Sequence, residues 1–369
     1  MVTRSTIAWL AVVLLLAGAP SGAADYRVTT VAAGLEHPWS IAFLPGGDML
    51  VTERAGRLRL IEGGVLQPSP VGGVPEAYVR SQAGLFEVLL DPEYEKNGWV
   101  YLSFAHGTGR ANSTRVVRGR LRGRSLEDVQ VLFTEQPTRN TPLHYGGRMA
   151  FLGDGTLVIG LGDGFDFREE AQRLDSHAGS IVRIRRDGGI PEDNPFVGRD
   201  NALPEIYSYG HRNVQGLVFD PRSGRLWAHE HGPRGGDEVN LIMPGRNYGW
   251  PVATFGVDYS GARITPYTSR PGMEDPVIHW TPSIAPSGMT LYRGAAFPAW
   301  DGDLLVTALV ARELRRIALD GAEVVGQVSL LEEIGQRLRA VEVGPDGALY
   351  VLTDSSRGRV LRVAPAPNP

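Results

Sequence analysis

Apolar and polar positions alternate in short runs along most of the chain, and each run is broken by glycine, proline, aspartate or asparagine. That pattern predicts short strands joined by tight turns, hence an all-β fold. One unit recurs. Residues 41–52 read as strand, turn through Pro45-Gly46-Gly47-Asp48, strand. The same shape returns at 88–104 with a longer turn through Glu95-Lys96-Asn97-Gly98, at 149–160 around Gly153-Asp154-Gly155, and at 217–232 around Asp220-Pro221-Arg222-Ser223-Gly224. It returns again at 291–309 around Asp301-Gly302 and at 341–354 around Pro345-Asp346-Gly347. Asp-Gly steps supply the positive φ angles that close such hairpins.

Six hairpins give roughly 57 residues per unit, more than the ~40–50 of compact blade repeats. The excess is expected in long connections at 165–206 and 233–284. Radial repetition of small antiparallel sheets, a six-bladed β-propeller, accounts for six hairpins of one turn chemistry where a two-sheet sandwich does not. Helical periodicity is confined to short pieces such as 169–174. The organisation expected is a signal peptide over 1–24, then one propeller domain over 25–369. Arg4 supplies the basic start of the leader, 7–17 its apolar stretch, and Ser21-Gly22-Ala23-Ala24 small residues for cleavage. A leader of this kind implies a periplasmic or secreted protein without a membrane span in the mature chain.

Composition narrows the function. The 369 residues contain no cysteine, which excludes a disulfide framework, a thiolate metal site, a catalytic thiol and a covalently attached c-type haem. A net charge of -4 argues against a general nucleic-acid binder. Lys96 is the sole lysine, so a buried anion would be met by arginine, whose planar fork matches carboxylates.

Four clusters at hairpin ends could carry chemistry. His144, in a Gly-flanked loop before the third hairpin, is a candidate general base, and Asp163 at the far end of that hairpin is its candidate carboxylate partner. Arg212 and Asn213, in Tyr209-Gly210-His211-Arg212-Asn213, offer a cation and an amide to an oxygen-rich ligand. In His229-Glu230-His231 strand alternation separates Glu230 from the histidines, so the carbonyls of Gly232 and Pro233 with Glu238 suit a hard cation such as calcium better. Arg337 and Arg339 share a strand face, which calls for an anion between them.

Taken in order, Pro38-Trp39-Ser40-Ile41-Ala42-Phe43, Gln82-Ala83-Gly84-Leu85, the His144 segment, Gly210-His211-Arg212-Asn213-Val214-Gln215-Gly216, Gly232-Pro233 with Asp237-Glu238, and Asn247-Tyr248-Gly249-Trp250-Pro251 resemble the pyrroloquinoline-quinone (PQQ)-dependent soluble aldose sugar and glucose dehydrogenases. The resemblance spans nearly all of the mature chain. It implies a six-bladed propeller that oxidises an aldose sugar at C1 to the lactone by hydride transfer to PQQ. His144 would be the base, Asp163 its support, Gln82 a sugar contact and Arg212 the group facing the quinone oxygens, with Asn213 beside it. Ser283, Arg337 and Arg339 would contact the cofactor. Gly232 and Pro233 would hold a catalytic Ca2+, and Glu238 and Tyr248 a second, structural one.

Electrons would pass to an external acceptor (a quinone, cytochrome or dye), since the chain cannot carry a c-type haem of its own. Two departures stand out. The glucose-oxidising branch has a PQQ-contacting lysine where this chain has Val310, and Leu143 replaces an aspartate before the catalytic histidine, which favours the aldose branch. The alternatives are a cofactor-free propeller that binds carbohydrate or a partner, and a calcium-dependent lactonase.

Overall fold

The computed structural model describes residues 25–367, where 24 strands form six four-stranded antiparallel sheets. The leader expected over 1–24 lies outside the described residues, among which no helix is long and apolar enough to cross a membrane. Each expected hairpin is the inner half of one blade. The innermost strands are Pro38–Phe43, Leu85–Leu90, Gly146–Phe151, Val214–Asp220, Pro286–Leu291 and Leu338–Val343, and each packs against its counterpart in the next blade. The last blade is completed by the start of the chain: Tyr26–Leu35 pairs with Gly358–Pro365, Val28 opposite Val363. The first and last strands of the chain are thereby held in one sheet, which closes the ring.

The connections at 165–206 and 233–284 are not loops throughout. They contain the third strands Ser180–Ile184 and Asp237–Ile242, whose short apolar runs are masked by flanking glycines and charges. The helical piece expected at 169–174 is a 3-10 turn over Arg168–Gln172, and the long turn of the second hairpin holds one helical turn, Tyr94–Asn97.

The core is divided as the ring demands. Six clusters of buried apolar side chains each fill one seam between neighbouring blades, for example Leu50, Val88, Val100 and Leu102 between the first two. Full burial of such a side chain contributes about 1.5–3 kcal/mol, so the seams hold the blades together. A seventh cluster, Trp39, Phe86 and Tyr145 with Ala83 and Ala105, sits at the channel mouth.

Every inner hairpin slips register near the start of its first strand, at 38/40, 85/88, 146/149, 214/216, 286/289 and 338/340. Bulges twist a strand and re-aim its side chains. Six bulges at one end of the barrel-like channel make that end the place where loops converge.

Inside the channel Arg148 ties five blades. Its Nε donates to the Gln215 carbonyl (2.8 Å), Nη2 to the Ser287 carbonyl (2.7 Å) and Nη1 to Glu87 Oε2 (3.1 Å). The guanidinium lies 3.9 Å over the Trp39 ring, and Ser40 donates to the other Glu87 oxygen. Below this knot, at the opposite end from the bulges, a mainly apolar cavity of about 380 Å³ contains Glu342.

Enclosure, reinforced by the Glu87 carboxylate, pushes the Glu342 carboxyl up to about 8 against the attraction of Arg148. A carboxyl raised in the folded state binds its proton more tightly than in the unfolded chain, so stability falls as pH rises from about 4.5 to 8. Glu342→Gln is expected to flatten that slope and to melt higher than the parent above pH 8. Parallel slopes in thermal melts across this window would contradict the assignment.

Candidate active site

The bulged mouth is built from loops that enter inner strands and from the ends of second strands. His144 precedes the strand Gly146–Phe151, and Asp163 follows Leu157–Leu161, its neighbour in the same blade. Their proximity depends on Gly162: a Cβ there would stand 2.0 Å from the His144 carbonyl oxygen and 3.0 Å from Asn213 Oδ1, so only glycine admits this crossing. His144 itself adopts φ 49°, a left-handed conformation that turns its ring towards Asp163.

The two side chains pair, His144 Nδ1 to Asp163 Oδ1 at 2.7 Å, with both nearly fully buried. Asp163 Oδ1 also accepts the Phe165 amide (2.8 Å), and Oδ2 accepts the indole N–H of Trp250 (2.8 Å). Burial lowers the pKa of His144 and outweighs the opposing hydrogen bond from Asp163; the Arg212 charge acts in the same direction as burial. Burial would raise Asp163, but its bond to His144, the Arg212 charge and the Phe165 amide hold it below the usual carboxylate range. With Nδ1 bound to a carboxylate, the imidazole carries its proton there, and Nε2, which has no protein partner among the described residues, is the basic nitrogen.

Gln82 fixes the same loop from the side, its Oε1 accepting the His144 amide at 2.9 Å. Behind the pair, Arg139 bonds Glu135 in a buried two-point contact (2.6 and 2.9 Å) and reaches the Gly162 carbonyl (3.2 Å). Over it, the Phe165 ring meets His144 edge-on at 5.1 Å and stacks with Tyr259 at 6.2 Å, which gives the approach to His144 an aromatic wall.

Arg212 lies between Trp250 (5.3 Å) and Tyr259 (5.9 Å), its backbone amide held by Glu230. Its Nη1 donates to the carbonyls of His231 (3.0 Å) and Gly232 (2.6 Å), and its Nε is buried without a partner. Asn213 faces the neighbouring cavity and accepts the Gly146 amide (3.2 Å). That cavity, about 250 Å³, is walled by Trp39, Phe86 and Tyr145 on one side and by Arg54, Arg337 and Arg339 on another. Arg337 and Arg339 do share a face, and Asp354 stands between them, 3.3 and 2.9 Å away, with His37 on its other oxygen at 2.9 Å. Burial would raise Asp354, yet Arg339, His37 and Arg337 hold it far below the usual range, so it stays ionised. A planar, apolar-faced ligand carrying several carboxylates fits this set of aromatic walls and guanidinium groups.

Two expectations need correction. Ser283 does not face the cavity: its hydroxyl donates to Asp237 Oδ2 (2.6 Å), which also accepts the Ile284 and Ala285 amides, so it fixes the loop instead. Some of the expected calcium donors are also engaged within the protein. The Gly232 carbonyl is taken by Arg212, and Tyr248 uses its hydroxyl between Met243 and Leu241 while its ring stacks on His211. Glu238 alternates to the strand face away from Asp237, near Asn240, and burial with the Glu230 charge raises its carboxyl well above the usual range. Among the described residues no three His, Asp or Glu side chains gather as a metal site. Arg212 shares the Gly232 carbonyl, whereas the Pro233 carbonyl accepts no hydrogen bond among the described residues.

Sequence reasoning missed Trp250, Arg139, Glu135 and Arg54. Trp250 lies inside a segment singled out for Tyr248, and only its distance to Asp163 reveals it.

A propeller with a buried histidine–carboxylate pair beside a cation-rich cavity defines an enzyme acting at its channel mouth. Residues 35–362 match the model of the Glucose / Sorbosone dehydrogenase family, and the chain belongs to that family of sugar dehydrogenases. It is 41% identical to the aldose sugar dehydrogenase YliI of Escherichia coli over 93% of this chain and 94% of that one. The solved apo-form of soluble aldose sugar dehydrogenase from Escherichia coli superposes with a TM-score of 0.90 at 40% identity, covering 93% and 100% of the two chains. The PQQ-bound form of aldose sugar dehydrogenase from Streptomyces coelicolor gives 0.76 at 31% identity, covering 92% and 99%.

Proposed function

We propose that this chain oxidises an aldose at C1 to the lactone with PQQ as its resident cofactor, and passes the electrons to a separate carrier. The observation that carries the reading is the 2.7 Å His144–Asp163 pair, buried beside an anion-binding cavity with aromatic walls. When bound, PQQ supplies the quinone that accepts hydride from C1. Arg337 and Arg339 would hold its carboxylates, and Trp39, Phe86 and Tyr145 would give it apolar walls. His144 Nε2 takes the proton of the C1 hydroxyl, and Asp163 stabilises the imidazolium that forms. Trp250 and the Phe165 amide keep Asp163 from turning away. Arg212, with its buried unpartnered Nε, stabilises negative charge that develops beside it. A calcium ion would be held by the Pro233 carbonyl and by the Gly232 carbonyl that Arg212 now shares, and would act there as a Lewis acid. Export of the mature chain to the periplasm or outside the cell is part of the reading, and an external quinone, cytochrome or dye serves as acceptor.

The test is dye reduction by the purified protein with a panel of aldoses, with and without PQQ. Turnover is expected only with PQQ. Because burial depresses His144, the base stays neutral below the ordinary histidine value of 6.5, and kcat/KM should fall only as pH drops below it. Equal turnover without PQQ, or an acid limb centred above 6.5, would sink the proposal.

A further inference from the structure

The geometry points to Arg54 as a carboxylate-binding residue of the central cavity, taking over the charge that Val310 does not supply. This inference rests on the PQQ reading for the identity of the anion, not for the existence of the anion site. Arg54 follows the strand Met49–Glu53, so it stands at the mouth, where the second strand of the first blade ends. It lines the same cavity as Arg337 and Arg339. Unlike them it makes no side-chain hydrogen bond or ion pair among the described residues. Glu36 and Glu53 pair with Arg57, and Asp354 with His37, Arg337 and Arg339.

Three guanidinium groups therefore face one cavity that contains a single carboxylate, and one of the three has all its donors free. An arginine left so, next to aromatic walls, is placed to receive a carboxylate in a two-point fork. Val310 lines the same cavity and is 61% exposed, so the position where the resemblance places a lysine offers no charge here. The Arg54 stem packs tightly: a Cβ on Gly84 would lie 2.8 Å from Arg54 Cγ and 2.0 Å from the Arg54 carbonyl. Glycine at 84 lets the arginine lie against the turn that also carries Gln82. The cofactor-facing and substrate-facing loops are thus joined in one place.

Two probes are titrated into the purified protein, with quenching of tryptophan fluorescence as the readout: PQQ, and benzene-1,3,5-tricarboxylate, which has no quinone. Arg54→Gln is compared with the parent and with Arg222→Gln, an exposed residue in the turn 220–224 at the end of the channel opposite the mouth, and equal melting temperatures exclude a folding defect. Loss of a charge-assisted contact is expected to weaken both probes by roughly 10- to 100-fold in Arg54→Gln, with a shallower salt dependence, and to leave Arg222→Gln as the parent. Arg54→Lys should recover part of the affinity. PQQ affinity within twofold of the parent in Arg54→Gln overturns the inference. If the parent does not bind PQQ, the functional reading falls, and the tricarboxylate decides this inference alone: weaker binding in Arg54→Gln upholds it, unchanged binding overturns it.

Discussion

His144→Asn is expected to fold as the parent does and to lose about 10²- to 10⁴-fold in kcat, the range of a positioned general base, with little change in KM. Asparagine is the informative replacement because residue 144 sits at φ 49°, a conformation that asparagine adopts readily and alanine does not. Its amide can still donate to Asp163, so the carboxylate keeps a partner in the interior and the loop held by Gln82 stays in place. What disappears is the basic nitrogen. Steady-state kinetics on the PQQ-loaded variant checks this, with a thermal melt to show that the fold survives. A fall of less than tenfold would move the base elsewhere.

The second large effect concerns the fold. Arg148→Met should cost about 3–5 kcal/mol in urea denaturation, because it leaves Glu87 as an unpaired buried charge and two carbonyls in the channel without their donor. The charge, more than lost packing, is held responsible: methionine fills much of the same volume and can still lie on Trp39. The double variant Arg148→Met/Glu87→Gln should therefore recover more than half of the loss. If the double variant is as unstable as the single one, the knot acts through its bonds to the Gln215 and Ser287 carbonyls and not through the ion pair.

These two residues mark how far the sequence could be read. The six inner hairpins were legible because each is local: apolar run, Asp/Gly turn, apolar run. The His144–Asp163 pair followed from them, since the ends of one hairpin must lie side by side. The outer strands were harder. Ser180–Ile184 is five residues long, and Tyr26–Leu35 finds its partner only at the other end of the chain. Arg148 reads as one arginine among many because Glu87, Gln215 and Ser287 lie 61, 67 and 139 positions away. Trp250 meets Asp163 across 87 positions, for the same reason.

The candidate groups that the structure finds already engaged follow a physical pattern too. Ser283, Glu238, Tyr248 and the Gly232 carbonyl are polar groups in the right loops, but each already has a partner in the protein: Asp237, Asn240, Leu241 and Arg212. A sequence shows which residues can bond; it does not show which are already bonded. The arginine pair shows the converse. Two like charges on one face called for an anion, and the chain supplies one in Asp354, yet more guanidinium donors remain in the cavity than that carboxylate can accept.

The most direct test is an anaerobic single turnover of the PQQ-loaded protein with an aldose carrying deuterium at C1, in which lactone formed is counted against PQQ present. The account predicts one lactone for each PQQ, a rate slowed several-fold by the deuterium, and a far slower turnover in His144→Asn. Lactone formed without PQQ, or a rate indifferent both to the deuterium and to residue 144, would contradict it.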